Sequence, residues 1–321
     1  MPLFRRESAA QRKARELAEA EQEVAREALA RGGLPPTAQR RLAELGASGG
    51  TFTSDLSVNE FALGARTGLR PLSQVMGSSV YHVGLQSNPG TWGGWQSQGS
   101  SKELGNLSEA WNSARRLAFG RLDQEARLVG AHAVVGVHVT RRSLDWAASA
   151  IEYIVVGTAV GAQGAQGAAP PERVALTDLS GQDFWKLRRA GYEPLGVVGA
   201  STVYYVVPGR ATRRAQRGLF ASQANQELRD FTQAVYEARE VALGRLTKEA
   251  QALGAAGVVG VSVDQSEEKK EIEGNGNSRT DLIVTFHVLG TAIAERSEHG
   301  GELLVTPTIE LGPVAKPGAD R

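Results

Sequence analysis

Five histidines are the side chains of this chain best suited to hold a metal ion, because the 321-residue sequence contains no cysteine. Imidazole suits zinc and copper, whereas soft heavy metals favour thiolate and thioether ligands. His132 and His138 point to one face of a predicted strand but lie about 20 Å apart at ~3.3 Å per residue, so one ion cannot join them within a chain. The sequence therefore predicts a metal site only where an oligomer gathers His132, His138 or His82 from several subunits. Otherwise these are surface or packing histidines.

Two loops of unlike chemistry are the candidate sites for a ligand or partner. Trp92 and Trp95 lie in a Gly/Ser-rich loop and favour a stacking or hydrophobic contact. The other loop favours an anion, because it carries four arginines and no acid between them. These are Arg210, Arg213, Arg214 and Arg217. The alternative for both loops is a solvent-exposed connection with no ligand.

Six residues of two predicted long helices have a structural interpretation. They are Gly120, Arg121, Glu125, Gly244, Arg245 and Glu249. Each arginine stands four residues before a glutamate, the spacing of a solvated or interface ion pair on a helix. Each glycine precedes its arginine inside the helix, where glycine costs ~1 kcal/mol relative to alanine. We expect another backbone to approach closely at both glycines.

Catalytic signatures are absent from the sequence. It contains no Walker A loop or HExxH motif. The lack of these motifs predicts a protein that is not an enzyme. The net charge of +1 gives no electrostatic reason to expect nucleic acid or an anionic membrane as the main partner. The charged start and the lack of a long apolar stretch predict a soluble, cytoplasmic protein.

The elements that position these residues occur twice in the chain. Residues 54–83 align with 177–206 at 13 of 30 identical positions, and residues 114–139 align with 238–263 at 15 of 26. Ordered matches at offsets of 123 and 124 indicate a duplicated domain. The predicted organisation is a helical extension (1–50), copy 1 (51–160), a Gly/Ala/Gln/Pro linker (161–173), copy 2 (174–295) and a Pro/Gly-rich tail (296–321).

Each copy has the predicted element order α-β-α-β-β. A serine three residues before an acid starts a short helix, and apolar residues at steps of three and four predict a long helix after the first strand. The last two strands form a hairpin. The fold class is therefore α+β, with a small sheet and the long helix on one face of it.

The chain also resembles a known family. The resemblance rests on GSSVYHVG (Gly77 to Gly84), the helix pattern AR…A…L..EA, the VVGV text at Val134 and Val258, and a closing Gly-Thr-Ala. These residues are similar to the YbjQ-like family, which carries a heavy-metal-binding label. The resemblance implies a dodecin-like βαββ domain that assembles into closed rings and has no established enzymatic activity.

Two hypotheses about function follow. The first is a non-enzymatic, ring-forming homo-oligomer that serves assembly or binding, with the N-terminal helices available to a protein partner and no nucleic acid involved. The alternative is a small-ligand or metal-ion module whose site forms between subunits. Since each chain carries two domains, either three chains make a six-domain ring or five chains make two stacked rings.

Overall fold

The computed structural model describes residues 9–47, 51–84, 99–144, 150–162, 173–216, 225–274 and 277–296. The N-terminal extension forms the predicted helix pair, α1 (Ala9–Ala30) and α2 (Pro36–Ala47), which meet at a turn where Gly32 has a φ of 75°. Parts of the predicted linker (163–172) and tail (297–321) lie outside the described residues.

Both copies follow the predicted order of helices and strands, which confirms the α+β class. The first copy consists of α3 (Val58–Thr67), β1 (Leu69–His82), β2 (Ser100–Glu103), α4 (Gly105–Leu128), β3 (Ala133–Leu144) and β4 (Ala150–Ala162). The second consists of β5 (Ala175–Leu176), α5 (Gly181–Arg189), β6 (Tyr192–Val207), α6 (Arg210–Gln216), α7 (Arg229–Ala252), β7 (Gly257–Gly274) and β8 (Asn277–Glu295).

The short helices begin where the capping serines predict. The Ser57 hydroxyl accepts a hydrogen bond from the Glu60 amide, and the Glu60 carboxylate accepts one from the Ser57 amide. This capping box satisfies two backbone donors that the helix leaves free. Ser180 accepts a hydrogen bond from the Asp183 amide in the same way.

Each long helix packs on the sheet of its own copy. The first and second of the copy's three long strands flank the third, so the orders are β1-β4-β3 and β6-β8-β7, all antiparallel. The buried stripe of α4 faces β1 and β4, and the corresponding stripe of α7 faces β6 and β8.

Each sheet also receives a short fourth strand from the other copy, which the sequence did not predict. β2 of copy 1 pairs antiparallel with β6 of copy 2, and β5, at the start of copy 2, pairs parallel with β3 of copy 1. The two copies are therefore joined through their sheet edges.

Candidate functional site

The junction between the copies is built around α4, which lies between the two sheets. One face of the helix packs on β1 and β4 of its own copy, and the opposite face packs on β6 of copy 2. Trp111 belongs to a single buried cluster with Val203, Tyr205 and Leu289 of the second sheet. The apolar core of copy 1 thus continues into copy 2.

Polar groups at the start of α4 pair with the outer edge of β6. The Leu104 amide donates to the Val203 carbonyl (2.7 Å), and the Ser108 hydroxyl accepts from the Val203 amide (2.9 Å). The Asn112 side chain donates to the Ser201 carbonyl (2.8 Å) and accepts from the Ser201 amide (3.0 Å). These contacts continue the pairing begun by β2 and satisfy edge groups that burial would otherwise leave unpaired.

Two ion pairs cross the junction. The Arg115 guanidinium contacts both carboxylate oxygens of Glu249, at 3.2 and 2.8 Å. Arg245 does the same with Glu103, at 2.6 and 3.0 Å. Paired, fork-shaped contacts of this kind fix orientation as well as contributing energy.

The ion pair predicted within the second long helix does not form, because Arg245 and Glu249 each pair with copy 1 instead of with each other. Both residues also contact the edge of their own first strand. Arg245 donates to the Ser201 carbonyl (3.4 Å), and Glu249 accepts from the Gly199 amide (3.1 Å).

The same arrangement occurs in copy 1. Arg121 donates to the Ser78 carbonyl, and Glu125 accepts from the Met76 amide at 2.8 Å. Burial lowers the pKa of Arg121 and raises the pKa of Glu125, although the Met76 amide and Arg41 both act to lower the latter. The duplicated Arg–Glu spacing thus identifies two side chains that hydrogen-bond to the edge of a strand.

The junction is asymmetric, so we name its two sides. The donor side is contributed by copy 1: β2, the first turns of α4 and the outer edge of β3. The acceptor side is contributed by copy 2: β5, α5, the outer edge of β6 with the sheet surface beside it, and Arg245 and Glu249 of α7. A chain with one such junction retains an unused acceptor side on copy 1 and an unused donor side on copy 2.

Apolar residues on the unused acceptor side are exposed, whereas their repeat partners are buried in the junction. Val80 is 55% exposed, and its partner Val203 is fully buried. Phe61 is 42% exposed, and its partner Phe184 is buried against β3 and β4.

The unused donor side shows the same contrast. Tyr236 on α7 is 59% exposed, and its partner Asn112 is buried. Val261 on β7 is 43% exposed, whereas Val137 on β3 is buried. Both unused sides therefore present apolar surface where the used sides are covered.

The candidate metal ligands lie apart within one chain. His82 is exposed near the end of β1, and His132 precedes β3 at the opposite end of the sheet. Nε2 of His138 lies 3.1 Å from Oδ2 of Asp55. Within the described ranges no three His, Asp or Glu side chains form a group that could hold a metal ion. The described residues of a single chain do not fit a heavy metal, and a site shared between subunits stays a prediction.

The two candidate loops are described only in part. Trp92, Trp95 and Arg217 lie outside the described residues. The remaining arginines, Arg210, Arg213 and Arg214, are on α6. Asp230 holds the start of this helix by accepting from the Gly209 amide and the Thr212 hydroxyl, and the Arg213 Nε donates to the Pro208 carbonyl at 2.9 Å. An anion site on α6 stays a prediction.

The close backbone approach predicted at Gly120 and Gly244 is not present within the chain. A Cβ at either position would meet nothing within 4 Å. The close approach occurs at Gly77, where a Cβ would lie 1.8 Å from the Ala118 carbonyl oxygen and 2.7 Å from the Leu122 amide. It is β1, packed against the backbone of α4, that requires a glycine.

A buried Ser–His contact in the junction was missed by the sequence analysis. Nδ1 of His287 lies 2.7 Å from the Ser201 hydroxyl, and its ring packs edge-on against Trp111 at 5.0 Å. Burial, with a smaller effect of Arg141, lowers the pKa of His287 to about 3. The imidazole is neutral at ordinary pH and enclosed in the core. The sequence offered no signal for it, because the repeat partner of His287 is Ile154.

Comparisons with known proteins agree with this architecture. The YbjQ family described as "Putative heavy-metal-binding" matches residues 99–163 and 192–295, which confirms the resemblance and the duplication. The Encapsulin nanocompartment protein Rv1762c of Mycobacterium tuberculosis is 36% identical over 280 residues, covering 87% of this chain and 97% of its own length.

Shorter relatives match parts of the chain. A UPF0145 protein of Clostridium perfringens is 40% identical over 58 residues, which is 18% of this chain and 53% of that protein. Another, from Helicobacter hepaticus, is 35% identical over 71 residues, or 22% and 65%. No solved structure matches the chain. Among the helices that the structure describes, none is long and apolar enough to span a bilayer.

Proposed function

Because the chain belongs to the YbjQ family, we propose that it is a non-enzymatic assembly protein of the cytoplasm whose chains associate head to tail. The association would repeat, between chains, the junction that already joins the two copies within one chain. The unused donor side of copy 2 then docks on the unused acceptor side of a second chain's copy 1.

One observation carries this proposal: the exposed apolar residues of each copy include the repeat partners of residues that the internal junction buries. Val80 corresponds to Val203, and Tyr236 corresponds to Asn112. Exposed apolar surface of this kind is a common mark of an interaction site. Each residue of the proposed contact thus has a counterpart in a formed contact of the same fold.

The geometry also bears on the number of chains. A head-to-tail contact produces a ring if its rotation closes and a filament if it does not. Because the two copies of one chain are already neighbours through this contact, they belong to the same ring. This supports three chains in a six-domain ring over five chains in two stacked rings.

Native mass spectrometry of complementary variants tests the proposal. Val80→Asp removes the acceptor side and Tyr236→Asp removes the donor side, so each variant alone stays monomeric. An equimolar mixture forms a dimer, since one intact side of each kind remains. Leu17→Asp, on an exposed face of α1, is the matched control and assembles like the wild type.

Two results would contradict head-to-tail association. The first is assembly of both single variants to the wild-type size. The second is that neither the wild-type chain nor the Leu42→Asp variant, in which the N-terminal helices are released, assembles at about 100 µM.

The second part of the proposal concerns a protein partner. A relative that covers most of the chain carries the name encapsulin nanocompartment protein, and we extend that association to this chain. The first helix supports it, because Leu17 and Val24 are exposed at heptad spacing on α1. Such a stripe is suited to contact with another protein.

Co-expression with an encapsulin shell protein and gradient sedimentation test this association. We expect the chain to co-sediment with the shell, and Leu17→Asp/Val24→Asp to lower the bound fraction at least fivefold. Val80→Asp serves as the comparison, because it blocks self-association and leaves α1 intact. Equal co-sedimentation of all three proteins would exclude α1 as the contact.

The alternative function, a ligand or metal-ion module formed between subunits, has one observation in its favour: His82 lies on the unused acceptor side, where a second chain would reach it. Calorimetry with zinc and with copper tests it. A saturable heat in the wild type that Val80→Asp abolishes would support a site between subunits. The absence of saturable heat at micromolar metal would exclude a zinc or copper site between subunits.

A further inference from the structure

The N-terminal helices cover part of the unused acceptor side. We propose that α1 and α2, the N-terminal hairpin, form an intramolecular cap that must leave copy 1 before a second chain can dock there fully. The inference rests on the head-to-tail association proposed above. It adds that the chain carries its own competitor for the contact.

The cap binds the same groups on copy 1 that copy 1 binds on copy 2. The Arg121 Nε donates to the Gly33 carbonyl (3.2 Å), and its Nη2 donates to the Leu29 carbonyl (3.3 Å). In copy 2, the corresponding Arg245 directs its guanidinium to Glu103 of copy 1. Carbonyls of the hairpin thus take the place of a carboxylate from the neighbouring domain.

The glutamates Glu125 and Glu249 differ in the same way, because a residue of the hairpin takes the place of a residue of the neighbouring domain. Arg41 of α2 lies 3.4 Å from Glu125, whereas Arg115 of copy 1 contacts the corresponding Glu249. With the hairpin in place the Glu125 side chain is 4% exposed. It is closed to an arginine from outside.

A second chain would need these groups. The counterparts of Glu103 and Arg115 in copy 2 are Glu227 and Arg239, both exposed. Docking would bring Glu227 to Arg121 and Arg239 to Glu125. With the hairpin in place Glu125 is buried and each nitrogen of the Arg121 guanidinium already donates a hydrogen bond. A second chain can reach these groups only where the hairpin has left, so the two occupants exclude each other.

The hairpin is held by a small contact, which suits a cap that can be displaced. Of the hairpin side chains that the structure describes, only Leu34 and Leu42 are buried. Gln124 adds one hydrogen bond to the Gly32 carbonyl at 3.1 Å. The Val80 part of the acceptor side stays exposed, so a second chain can make first contact before the hairpin leaves.

Full-length Leu42→Asp tests the cap by light scattering across a concentration series, with hydrogen exchange of α2 showing its release. We expect the concentration for half-assembly to fall at least tenfold. Arg41→Glu keeps both leucines and gives a smaller fall, about threefold, which covers the case of a poorly folding Leu42 variant. Leu17→Asp leaves the concentration unchanged, and Leu42→Asp/Val80→Asp stays monomeric.

The outcomes separate the two proposals. If released variants assemble at the wild-type concentration, the cap is refuted and head-to-tail association stands. If they assemble less readily, the hairpin is part of the interface, which also refutes the cap. If neither wild type nor released variants assemble, head-to-tail association itself fails.

Discussion

The buried imidazole of His287 makes the junction between the copies sensitive to acid. A histidine has a pKa near 6.5 when exposed, and burial lowers the pKa of His287 to about 3. Between these values the unfolded chain binds a proton that the folded chain does not. Stability is therefore complete above about pH 6.5 and falls as the pH decreases towards 3.

The size of this loss of stability follows from the interval between the two pKa values of His287. Each pH unit below 6.5 removes about 1.4 kcal/mol, so this residue alone costs about 2 kcal/mol at pH 5. That is a large share of the 5–15 kcal/mol that is typical of a folded domain. The loss is carried by the junction, because His287 contacts Ser201 of its own copy and Trp111 of the other.

Urea unfolding of His287→Gln measures this effect between pH 4.5 and 7, in the Val80→Asp background to exclude association. Glutamine does not titrate and retains an acceptor for the Ser201 hydroxyl. Below about pH 6.5 the wild-type free energy of unfolding should decrease by about 1.4 kcal/mol per pH unit more than that of the variant. Ser201→Ala is the control: it removes the hydrogen bond but keeps the buried imidazole, so its pH slope follows the wild type. Equal slopes for His287→Gln and wild type would refute the argument.

Two further predictions concern the packing of β1 on α4 and the ion pair between Arg115 and Glu249. Gly77→Ala should destabilise the chain by about 2–4 kcal/mol in thermal or urea unfolding, since its Cβ would overlap the Ala118 carbonyl. Gly120→Ala has open space around it and should stabilise the chain by about 1 kcal/mol. A similar effect of the two changes would contradict the close approach at Gly77. Glu249→Gln should lower the free energy of unfolding by about 2–3 kcal/mol, because it leaves the buried Arg115 guanidinium without a charged partner. A change under about 0.5 kcal/mol would mean that the ion pair contributes little.

The elements and the duplication were predictable from the sequence because they depend on local signals. The Ser57–Glu60 capping box and the apolar stripes of α4 and α7 each repeat at a fixed offset. The exchanged strands were not predictable, since β2 and β5 contain four and two residues and neither has an alternating pattern.

Some residues of the junction were singled out from the sequence, but their binding partners were not. The spacing of Arg121 and Glu125 indicated a duplicated pair, for which we predicted a structural role. An i,i+4 spacing on a helix does not distinguish pairing within the helix from pairing with a strand edge, because both need the two side chains on one face. Which occurs depends on burial, and burial here comes from a hairpin and a second domain distant in the sequence.

The differences between the two copies at matched positions give information that neither copy gives alone. At the internal junction Asn112 satisfies both the amide and the carbonyl of Ser201, a contact that suits a permanent, buried edge. Its repeat partner Tyr236 offers a ring and one hydroxyl instead. A junction between chains would therefore depend more on apolar contact and less on paired backbone groups than the internal one. The external contact should be the weaker of the two, which is the condition under which a small hairpin can compete with it.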